Sequence, residues 1–322
     1  MSSEFDLIRR WFSPATDHTL LAGGDDAALV APAPGCSLAI TTDMLVEGTH
    51  FLPGADPASL GHKTLAVNLS DLAAMGARPR WAFLALALPD ADEDWIAAFA
   101  SGFLALARTH GVDLAGGDTT RGPLNLCVTV IGEVPATRAL RRDGARSGDD
   151  VWVSGCTGEA AIGLAVARGA IELPEIDAAR CRRRLERPEP RVALGLALAG
   201  VASGAIDVSD GLVADLGHIA ERSRCGIELD WRRLPHSSAL AGVPFTERAA
   251  AVLAGGDDYE LAFTAAPDRR DAVLAAGNAV GVPVTRIGRV TAGESGVRVL
   301  DADGRAIALA GGGFDHFRKA AQ

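Results

Sequence analysis

One stretch of sequence limits the possible folds more than any other: Lys63-Thr-Leu-Ala-Val-Asn-Leu-Ser-Asp-Leu-Ala-Ala-Met-Gly-Ala77. From Ser59 to about Met75 the apolar residues recur at helical spacing, which predicts a helix with one buried face. An aspartate, Asp71, lies within this apolar stretch. The stretch therefore predicts a packed helix with a carboxylate beside its apolar residues.

Strand-like and helical segments alternate on both sides of this helix. The predicted strands include Ser37–Asp43, Trp81–Leu88, Leu124–Val134, Val151–Ser154 and Gly226–Trp231, and the predicted helices include Asp92–His110, Glu159–Arg168, Pro190–Ala202 and Leu212–Ser223. Interleaved strands and helices predict a fold of α/β or α+β layers. Because segment 138–150 is rich in Arg, Gly and Asp, we place a domain boundary there and expect two domains, residues 1–138 and 139–322.

The composition argues against several classes of protein. A net charge of −10, with only two lysines, does not fit a protein that binds duplex nucleic acid through a basic surface. The five cysteines include no CxxC pair, which argues against a disulfide framework and a zinc site. The N-terminus lacks the pattern of a signal peptide, and no apolar run reaches the ~20 residues that span a bilayer. We therefore expect a cytoplasmic protein with free thiols and no membrane partner.

Aspartates recur where apolar stretches end, often beside Gly or Thr. They lie in six places: Gly23-Gly-Asp-Asp26, Thr41-Thr-Asp43, Asn68-Leu-Ser-Asp71, Gly116-Gly-Asp-Thr-Thr120, Asp207-Val-Ser-Asp210 and Gly255-Gly-Asp-Asp-Tyr-Glu260. Any one of them alone is more often a turn than a site. Carboxylates with threonine hydroxyls are the ligands of a hard cation such as Mg²⁺, which also binds substrate phosphates. The six together favour phosphoryl transfer or a related ATP-dependent reaction.

Familiar nucleotide-binding motifs are missing. Gly61-His-Lys-Thr64 resembles the end of a P-loop, but no glycine lies five positions before Gly61 and the segment is predicted to lie inside a helix. Gly155-Cys-Thr-Gly158 falls between a predicted strand and a predicted helix, where it either holds a phosphate with backbone amides or forms a tight turn. Of these two interpretations we favour the turn.

The aspartate motifs, in this order, resemble those of the thiamine-monophosphate kinase family. The matching segments are Gly24–Leu29, Thr41–Phe51, Lys63–Ala77, Gly116–Gly122, Ile206–Leu212, Gly256–Leu261 and Phe314–Phe317. The resemblance spans nearly the whole chain. It implies the PurM-like fold of aminoimidazole ribonucleotide synthetase, with two α/β domains, and a homodimer in which the N-terminal domains join their sheets into a shared barrel.

The resemblance also implies the ligands. ATP and thiamine monophosphate would be the substrates, and several Mg²⁺ ions the cofactor, in a cleft between the domains. The implied metal ligands are Asp26, Thr41, Thr42, Asp43, Asp71, Asp118, Asp207 and Asp210, of which Asp43, Asp71, Asp118 and Asp207 would be the catalytic carboxylates. The implied ATP contacts are Gly117, Asp118, Arg142 and Ser209, and the implied contacts to thiamine monophosphate are His50, Asp257 and Phe314.

Two positions depart from the family pattern. The family usually has Glu where this chain has Asp257, and Tyr or Trp where it has Phe314. Both departures affect implied substrate contacts and leave the implied metal ligands unchanged. The alternatives to a thiamine-monophosphate kinase are another ATP-dependent enzyme of the same superfamily and a non-catalytic protein that binds divalent metal.

Overall fold

A computed structural model describes residues 4–307 and, for residues 4 and 5, the backbone alone. The chain divides into two compact units, residues 1–139 and 140–322, called unit 1 and unit 2 below. Phe314, an implied substrate contact, lies outside the described residues. Between residues 4 and 307, the helices are all too short or too polar to cross a membrane.

Unit 1 is built on a four-stranded sheet. Its helices and strands are α1 (Glu4–Trp11), β1 (Thr19–Leu21), β2 (Leu29–Val30), β3 (Cys36–Val46), α2 (Pro57–Ala74), β4 (Arg78–Leu88), α3 (Glu93–His110), β5 (Asp113–Arg121) and β6 (Asn125–Pro135). The sheet has the order β3-β6-β4-β5, and only the pair β4 and β5 is parallel. In this part of the chain the sheet is open, with β3 and β5 at its edges.

Helices α2 and α3 pack against each other through glycines. A Cβ added to Gly61 would lie 2.1 Å from the carbonyl oxygen of Phe99, and one added to Gly102 would lie 1.8 Å from that of Ala58. Only glycine at both positions lets the two backbones approach so closely. Since Gly61 lies inside α2, residues 61–64 form a helix interior and not a P-loop.

Unit 2 is built on a six-stranded sheet. Its helices and strands are β7 (Asp150–Ser154), α4 (Glu159–Ala167), α5 (Glu175–Glu186), α6 (Val192–Leu198), β8 (Gly204–Asp207), α7 (Leu212–Ser223), β9 (Gly226–Asp230), α8 (Phe245–Ala254), β10 (Leu261–Ala265), α9 (Arg270–Ala279), β11 (Val284–Thr291) and β12 (Gly296–Leu300). The strand order is β12-β9-β11-β7-β10-β8, and only β12 and β9 pair in parallel. Buried aliphatic side chains such as Ile206, Leu216 and Val252 join this sheet to α7 and α8.

Both units mix strands and helices, which confirms the predicted α/β character. Three aspartates nevertheless lie inside elements and not at their ends: Asp43 in β3, Asp71 in α2 and Asp118 in β5. Strand β5 was missed because Gly and Asp are poor strand formers, and here pairing with β4 overrides that preference. Helix α6 is shorter than predicted, since the chain turns away at Gly200, which has a φ of 88°.

Candidate functional site

The first group of predicted site residues lies where β3 meets α2. The hydroxyl of Thr41 donates a hydrogen bond to Asp71 Oδ2. The backbone N–H of Asp43 donates to Asn68 Oδ1 over 3.1 Å, and the buried Asn68 amide donates to the carbonyl oxygen of Thr64 over 3.3 Å. Hydrogen bonds from Thr41 and Asp43 on β3 to Asp71 and Asn68 on α2 thus join the strand to the helix at the two aspartates.

Asp43 and Asp71 are neighbouring carboxylates. Burial, followed by the charge and the hydrogen bond of Asp71, raises the pKa of Asp43 to about 7. Two carboxylates this close do not both ionise readily unless a cation lies beside them. Together with the Thr41 hydroxyl they form a set of hard oxygen donors that fits Mg²⁺.

The protein ligands alone do not complete a metal site. Among residues 4–307, no three His, Cys, Asp or Glu side chains converge closely enough to hold a metal ion. Magnesium typically keeps several waters and binds one or two carboxylates together with substrate phosphates. The pair formed by Asp43 and Asp71 matches that mode of binding and not an all-protein cage.

Thr42 lies on the other face of β3 from Thr41 and Asp43, because successive strand residues alternate. Its hydroxyl shares a 2.8 Å hydrogen bond with the hydroxyl of Thr129 on β6. Among the predicted metal ligands of unit 1, Thr42 is therefore turned away from the carboxylate pair.

His50 lies in the turn that follows β3. Its Nδ1 accepts the backbone N–H of Val46 over 3.0 Å. Lys63, buried on α2, donates from Nζ to the carbonyl oxygen of His50 over 3.3 Å. The backbone of β3 and the side chain of Lys63 thus both hold the turn that contains His50.

A second group of predicted site residues in unit 1 lies around a cavity of about 1170 Å³. Its wall includes Asp26, from the loop between β1 and β2, together with Gly117 and Asp118 of β5. A Cβ on Gly117 would lie 1.9 Å from the carbonyl oxygen of Leu84, so only glycine lets β5 approach β4 at this point. The volume is ample for a small-molecule ligand.

Asp118 and Asp43 lie at the same level of the sheet but at opposite edges. The strand register runs from Asp118 through Ala85 and Cys127 to Met44, the neighbour of Asp43. Three strand spacings separate the two edges, about 14 Å along a flat sheet. Unit 1 therefore holds its predicted metal ligands in two groups, one between β3 and α2 and one around the cavity.

In unit 2, four of the predicted residues lie on two neighbouring segments, residues 207–211 at the end of β8 and residues 255–260 before β10. The N–H of Asp257 donates to the carbonyl oxygen of Ser209 over 2.9 Å. Between them, Val208 accepts the N–H of residue 259 and donates to the carbonyl oxygen of residue 260, each over 2.8 Å. The two segments bring together the backbones of four predicted site residues: Asp207, Ser209, Asp210 and Asp257.

The second of these segments has an unusual backbone. Asp257 and Tyr259 have φ angles of 67° and 51°, in the left-handed region that residues other than glycine rarely adopt. The Tyr259 hydroxyl donates to Asp257 Oδ1 over 2.9 Å. Such conformations persist only where the surroundings over-determine them, and they cluster at binding and active sites.

Asp215 is a residue that the sequence analysis missed. Its buried Oδ2 accepts the N–H groups of Ser209, Asp210 and Gly211 over 2.9, 3.0 and 3.1 Å. Burial, and then repulsion by Asp210, raise the pKa of Asp215 to about 7, although the three amides oppose this. Helix α7 begins directly after Gly211, and Asp215 is the acidic residue of its first turn. An acidic residue at that position often accepts the free N–H groups at a helix start, which is the signal that could have revealed its role.

The carboxylate of Asp258 accepts hydrogen bonds from backbone N–H groups at the start of α4. This buried carboxylate accepts the N–H of Gly158 over 2.7 Å and that of Ala160 over 3.5 Å. The amides that a phosphate would need are already bonded to a carboxylate. That favours a structural turn at residues 155–158 over a phosphate site.

Glu260 is a second carboxylate of the same motif that the sequence analysis left without a role. It is fully buried and accepts a bidentate pair of hydrogen bonds from Arg191, over 2.7 and 2.5 Å, and one from Arg184 over 2.5 Å. Burial alone would raise the pKa of Glu260, but Arg191 and Arg184 hold it below its ordinary value. These ion pairs anchor the end of the loop that contains Asp257.

Arg142 lies near the other end of β8. Its carbonyl oxygen accepts the hydroxyl of Ser223 over 2.8 Å, and that of its neighbour Arg141 accepts the N–H of Ala205 over 3.2 Å. Ala205 is the second residue of β8, whereas Ser209 follows the end of that strand. Within unit 2, the backbones of Arg142 and Ser209 are therefore separated by the length of β8.

The two units match two protein-family models. Residues 24–134 match "AIR synthase related protein, N-terminal domain", and residues 146–301 match "AIR synthase related protein, C-terminal domain". With the two mixed α/β units, these matches define the class: an AIR synthase related protein of PurM-like fold.

Comparison with individual proteins identifies the particular family. The chain belongs to the thiamine-monophosphate kinase family, being 46% identical over 319 residues to the thiamine-monophosphate kinase of Escherichia coli (strain K12), with 98% of each chain covered. It is similar to the crystal structure of thiamine-monophosphate kinase from Stenotrophomonas maltophilia K279a, with 52% identity, a TM-score of 0.84 and coverage of 90% of this chain and 93% of that one. It is also similar to AaThiL complexed with AMPPCP and TMP, with 34% identity, a TM-score of 0.78 and 91% of each chain covered. The resemblance inferred from the aspartate motifs is thereby confirmed.

Proposed function

We propose that this protein transfers the terminal phosphoryl group of ATP to thiamine monophosphate, which yields thiamine diphosphate and ADP. The observation that carries the proposal is the 46% identity to a thiamine-monophosphate kinase over 98% of the chain. The structure of AaThiL with AMPPCP and TMP supports ATP as the phosphoryl donor and a thiamine phosphate as the acceptor.

The proposed reaction does not require a general base. The acceptor is a phosphate that is already anionic near neutral pH, so no proton has to be removed to make a nucleophile. The barrier lies in bringing two anions together in line, and positioning with charge stabilisation supplies most of the catalysis in phosphoryl transfer. A site of oxygen ligands and backbone donors suits this task better than an acid–base pair.

Several Mg²⁺ ions complete the proposed site. Bound there, they would screen the two phosphates from each other and stabilise charge on the transferring group. We assign their binding to Asp26, Thr41, Thr42, Asp43, Asp71, Asp118, Asp207 and Asp210. Thr42, on the opposite face of β3, would bind a different ion from the one beside Asp43 and Asp71. The pairing of Asp43 with Asp71, beside the Thr41 hydroxyl, is the best support for this set.

The remaining site residues are assigned to the two substrates. ATP would contact Gly117, Asp118, Arg142 and Ser209, and thiamine monophosphate would contact His50, Asp257 and Phe314. The large cavity beside Gly117 and Asp118 supports a nucleotide near β5. The anchored His50 turn and the over-determined loop of Asp257 support ligand contacts at those two places.

We further propose a homodimer formed by the N-terminal domain, with residues 1–138 as the metal-binding, dimerising domain and 139–322 as the second domain. The division into compact units at residue 139 supports these bounds. Edge strand β3 exposes Leu38, Ile40 and Met44 by 39%, 63% and 53%. An exposed apolar edge strand is a ready surface for pairing with another sheet, as a barrel shared by two subunits would require.

The protein is assigned to the cytoplasm. All five cysteines lie within residues 4–307 and all are free thiols. Free thiols are typical of a reducing compartment. The burial of Cys181 and Cys225 suits them to a packing role in that setting.

The activity is tested by comparing acceptors. The purified chain is incubated with ATP and Mg²⁺ and with thiamine monophosphate, thiamine, hydroxymethylpyrimidine phosphate or no acceptor, and ADP and the phosphorylated product are measured. We expect kcat/KM for thiamine monophosphate to exceed that for the other acceptors by about a hundredfold or more. Equal ADP release with and without an acceptor would show an ATPase or another synthetase instead.

A further inference from the structure

Unit 2 contains a cavity of about 470 Å³ that the proposed reaction does not use. Four arginines line it: Arg233, Arg270, Arg286 and Arg289. We call this cavity the arginine pocket. It lies on β7, β9 and β11 and at the start of α9, and its wall contains none of the residues assigned above to metal, ATP or thiamine monophosphate.

The pocket stands on a row of alternating charges that crosses four strands. Arg298 on β12 lies opposite Glu228 on β9. Glu228 lies opposite Arg289 on β11, which in turn lies opposite Asp150 on β7. Residues directly opposite each other in an antiparallel pair have Cβ atoms about 4.5–5.5 Å apart, so the strand register places these side chains next to one another across the sheet.

A β-bulge in β11 aims two arginines at the same face of the sheet. The register shifts after Arg286, so Arg286 pairs with Trp152 while Arg289 pairs with Asp150. Their partners are two residues apart on β7, which puts both arginines on one face; in a regular strand they would point to opposite faces. A Cβ on Gly288 would lie 2.1 Å from a carbonyl oxygen of β9, so the bulge depends on this glycine.

Asp150 is bonded to two arginines at once. It accepts from Nε and Nη2 of Arg270 over 2.5 and 2.9 Å and from Nη1 of Arg286 over 3.3 Å. Burial would raise the pKa of Asp150, but Arg270 and then Arg286 hold it below its ordinary value. The carboxylate is therefore ionised and organises two guanidinium groups at the pocket.

Positive charge is in excess around the pocket. Glu228 is bonded to Arg289 over 2.6 and 2.9 Å and to Arg298 over 2.6 Å. Asp230 is likewise contacted by the two arginines of the turn after β9, at 3.0 and 3.4 Å. Of the charged residues that line the pocket, four are arginines and three are the carboxylates of Asp150, Glu228 and Asp230, so the wall has an excess of one positive charge in a chain whose net charge is −10.

We propose that the arginine pocket binds a small phosphate compound that carries two or more negative charges. A guanidinium has five N–H donors in a planar fork, and the carboxylate contacts use only some of them. The remaining donors of Arg286 and Arg289 suit the oxygens of a phosphate, which arginine binds in a bidentate manner. The volume of about 470 Å³ is that of a small-molecule site, large enough for pyrophosphate or a phosphate ester.

Calorimetry with inorganic pyrophosphate tests the proposal. Titrations are made in EDTA without nucleotide, so that the carboxylates of the proposed active site hold no cation for the anion to bind. The test variant combines Arg286→Gln and Arg289→Gln; Asp150 keeps Arg270 and Glu228 keeps Arg298, so no carboxylate loses its last partner. Arg269→Gln is the control for a charge lost outside the pocket wall, because Arg269 is exposed and adjoins Arg270 in the chain; it removes one positive charge, as Arg289→Gln alone does.

We expect one pyrophosphate per wild-type chain, unchanged binding to the control, and at least tenfold weaker binding to the double variant. Affinity should also fall as salt rises, since the attraction is between charges. A parallel titration with glycerol phosphate distinguishes a site for phosphate esters from a site that needs a diphosphate. Absence of binding to the wild-type chain, or equal affinity for the wild type and the double variant, would overturn the proposal. Should the double variant not fold, Arg289→Gln alone provides the same comparison.

Discussion

The carboxylate of Asp43 on β3 lies close enough to that of Asp71 on α2 to add to the effect of burial, and together they raise the pKa of Asp43 to about 7. The hydroxyl of Thr41 binds the same Asp71 carboxylate and fixes its position. Without a cation the arrangement destabilises the folded chain, because like charges are gathered where water is partly excluded. A divalent ion bound between the two carboxylates would instead stabilise the folded chain.

Replacing Asp71 by Asn should therefore stabilise the metal-free protein. The amide keeps an oxygen for the Thr41 hydroxyl and removes one of the two charges. We expect a gain of ~1 kcal/mol, a rise of roughly 2–4 °C in melting temperature. Thermal unfolding in EDTA at pH 8 measures it. Addition of Mg²⁺ with AMPPCP should then raise the melting temperature of the wild type more than that of the variant; a variant that melts below the wild type in EDTA would contradict the account.

The contribution of Asp43 to the stability of the metal-free protein should fall as the pH rises from about 4 to about 7. Asp43 has an ordinary pKa of 3.8 and a folded-state pKa of about 7. Between these values the folded state holds the extra proton, so the contribution of Asp43 to the free energy of unfolding decreases as the pH increases. In Asp43→Asn this contribution is absent, and the stability difference between the two proteins should grow across that range and level off above it. Parallel curves for wild type and variant in EDTA would show that Asp43 does not titrate in this way.

Glu260→Gln should be strongly destabilising. Glu260 is fully buried, and its loss of charge leaves Arg184 and Arg191, 15% and 14% exposed, without their main partner. Breaking a buried ion pair from one side costs ~3–5 kcal/mol. Urea unfolding measures the loss, and Glu175→Gln serves as the control, since Glu175 is 81% exposed and its ion pair with Arg182 should contribute under ~1 kcal/mol. Similar midpoints for the two variants would refute the anchoring role of Glu260.

The sequence predicts those features of the structure that depend on neighbouring residues in the chain. It does not predict those that depend on contacts between distant segments. Helix α2 and the strands around it depend on local periodicity, and the sequence shows that directly. The contact between Asp43 and Asp71 depends on how β3 crosses α2, which no local pattern encodes. In the motif at residues 255–260, one carboxylate caps α4 and another binds two arginines. Composition alone does not separate these structural carboxylates from ligands, because both require the same residue type.

The glycine contact between α2 and α3 gives a prediction with an internal control. Gly102→Ala would place a methyl group 1.8 Å from the Ala58 carbonyl oxygen, so the helices must separate. We expect destabilisation of ~3 kcal/mol or more, in the range of severe overpacking. Gly217→Ala, in α7 with nothing within 4 Å of the new Cβ, should instead stabilise by ~0.5–1 kcal/mol. Denaturant melts of both variants test the pair; equal effects would mean that the close helix approach is not required.

The proposed dimer predicts a specific effect at the sheet edge. Ile40 is 63% exposed on β3, so Ile40→Asp should leave the single chain folded while it disrupts pairing between subunits. Light scattering after size-exclusion chromatography should give twice the chain mass for the wild type and the chain mass for the variant. Ile176→Asp, at an 81% exposed position on α5, should remain dimeric. A monomeric wild type would refute the dimer.

We propose that the oxygen ligands around Asp43 and Asp71 support direct phosphoryl transfer from ATP to thiamine monophosphate. The most direct test measures thiamine diphosphate formed from ATP, Mg²⁺ and thiamine monophosphate by the wild type and by Asp71→Asn, both verified as folded by circular dichroism. We expect thiamine diphosphate from the wild type and a rate lower by about a thousandfold with the variant. Absence of thiamine diphosphate with the wild type, or equal rates for the two proteins, would contradict the proposal.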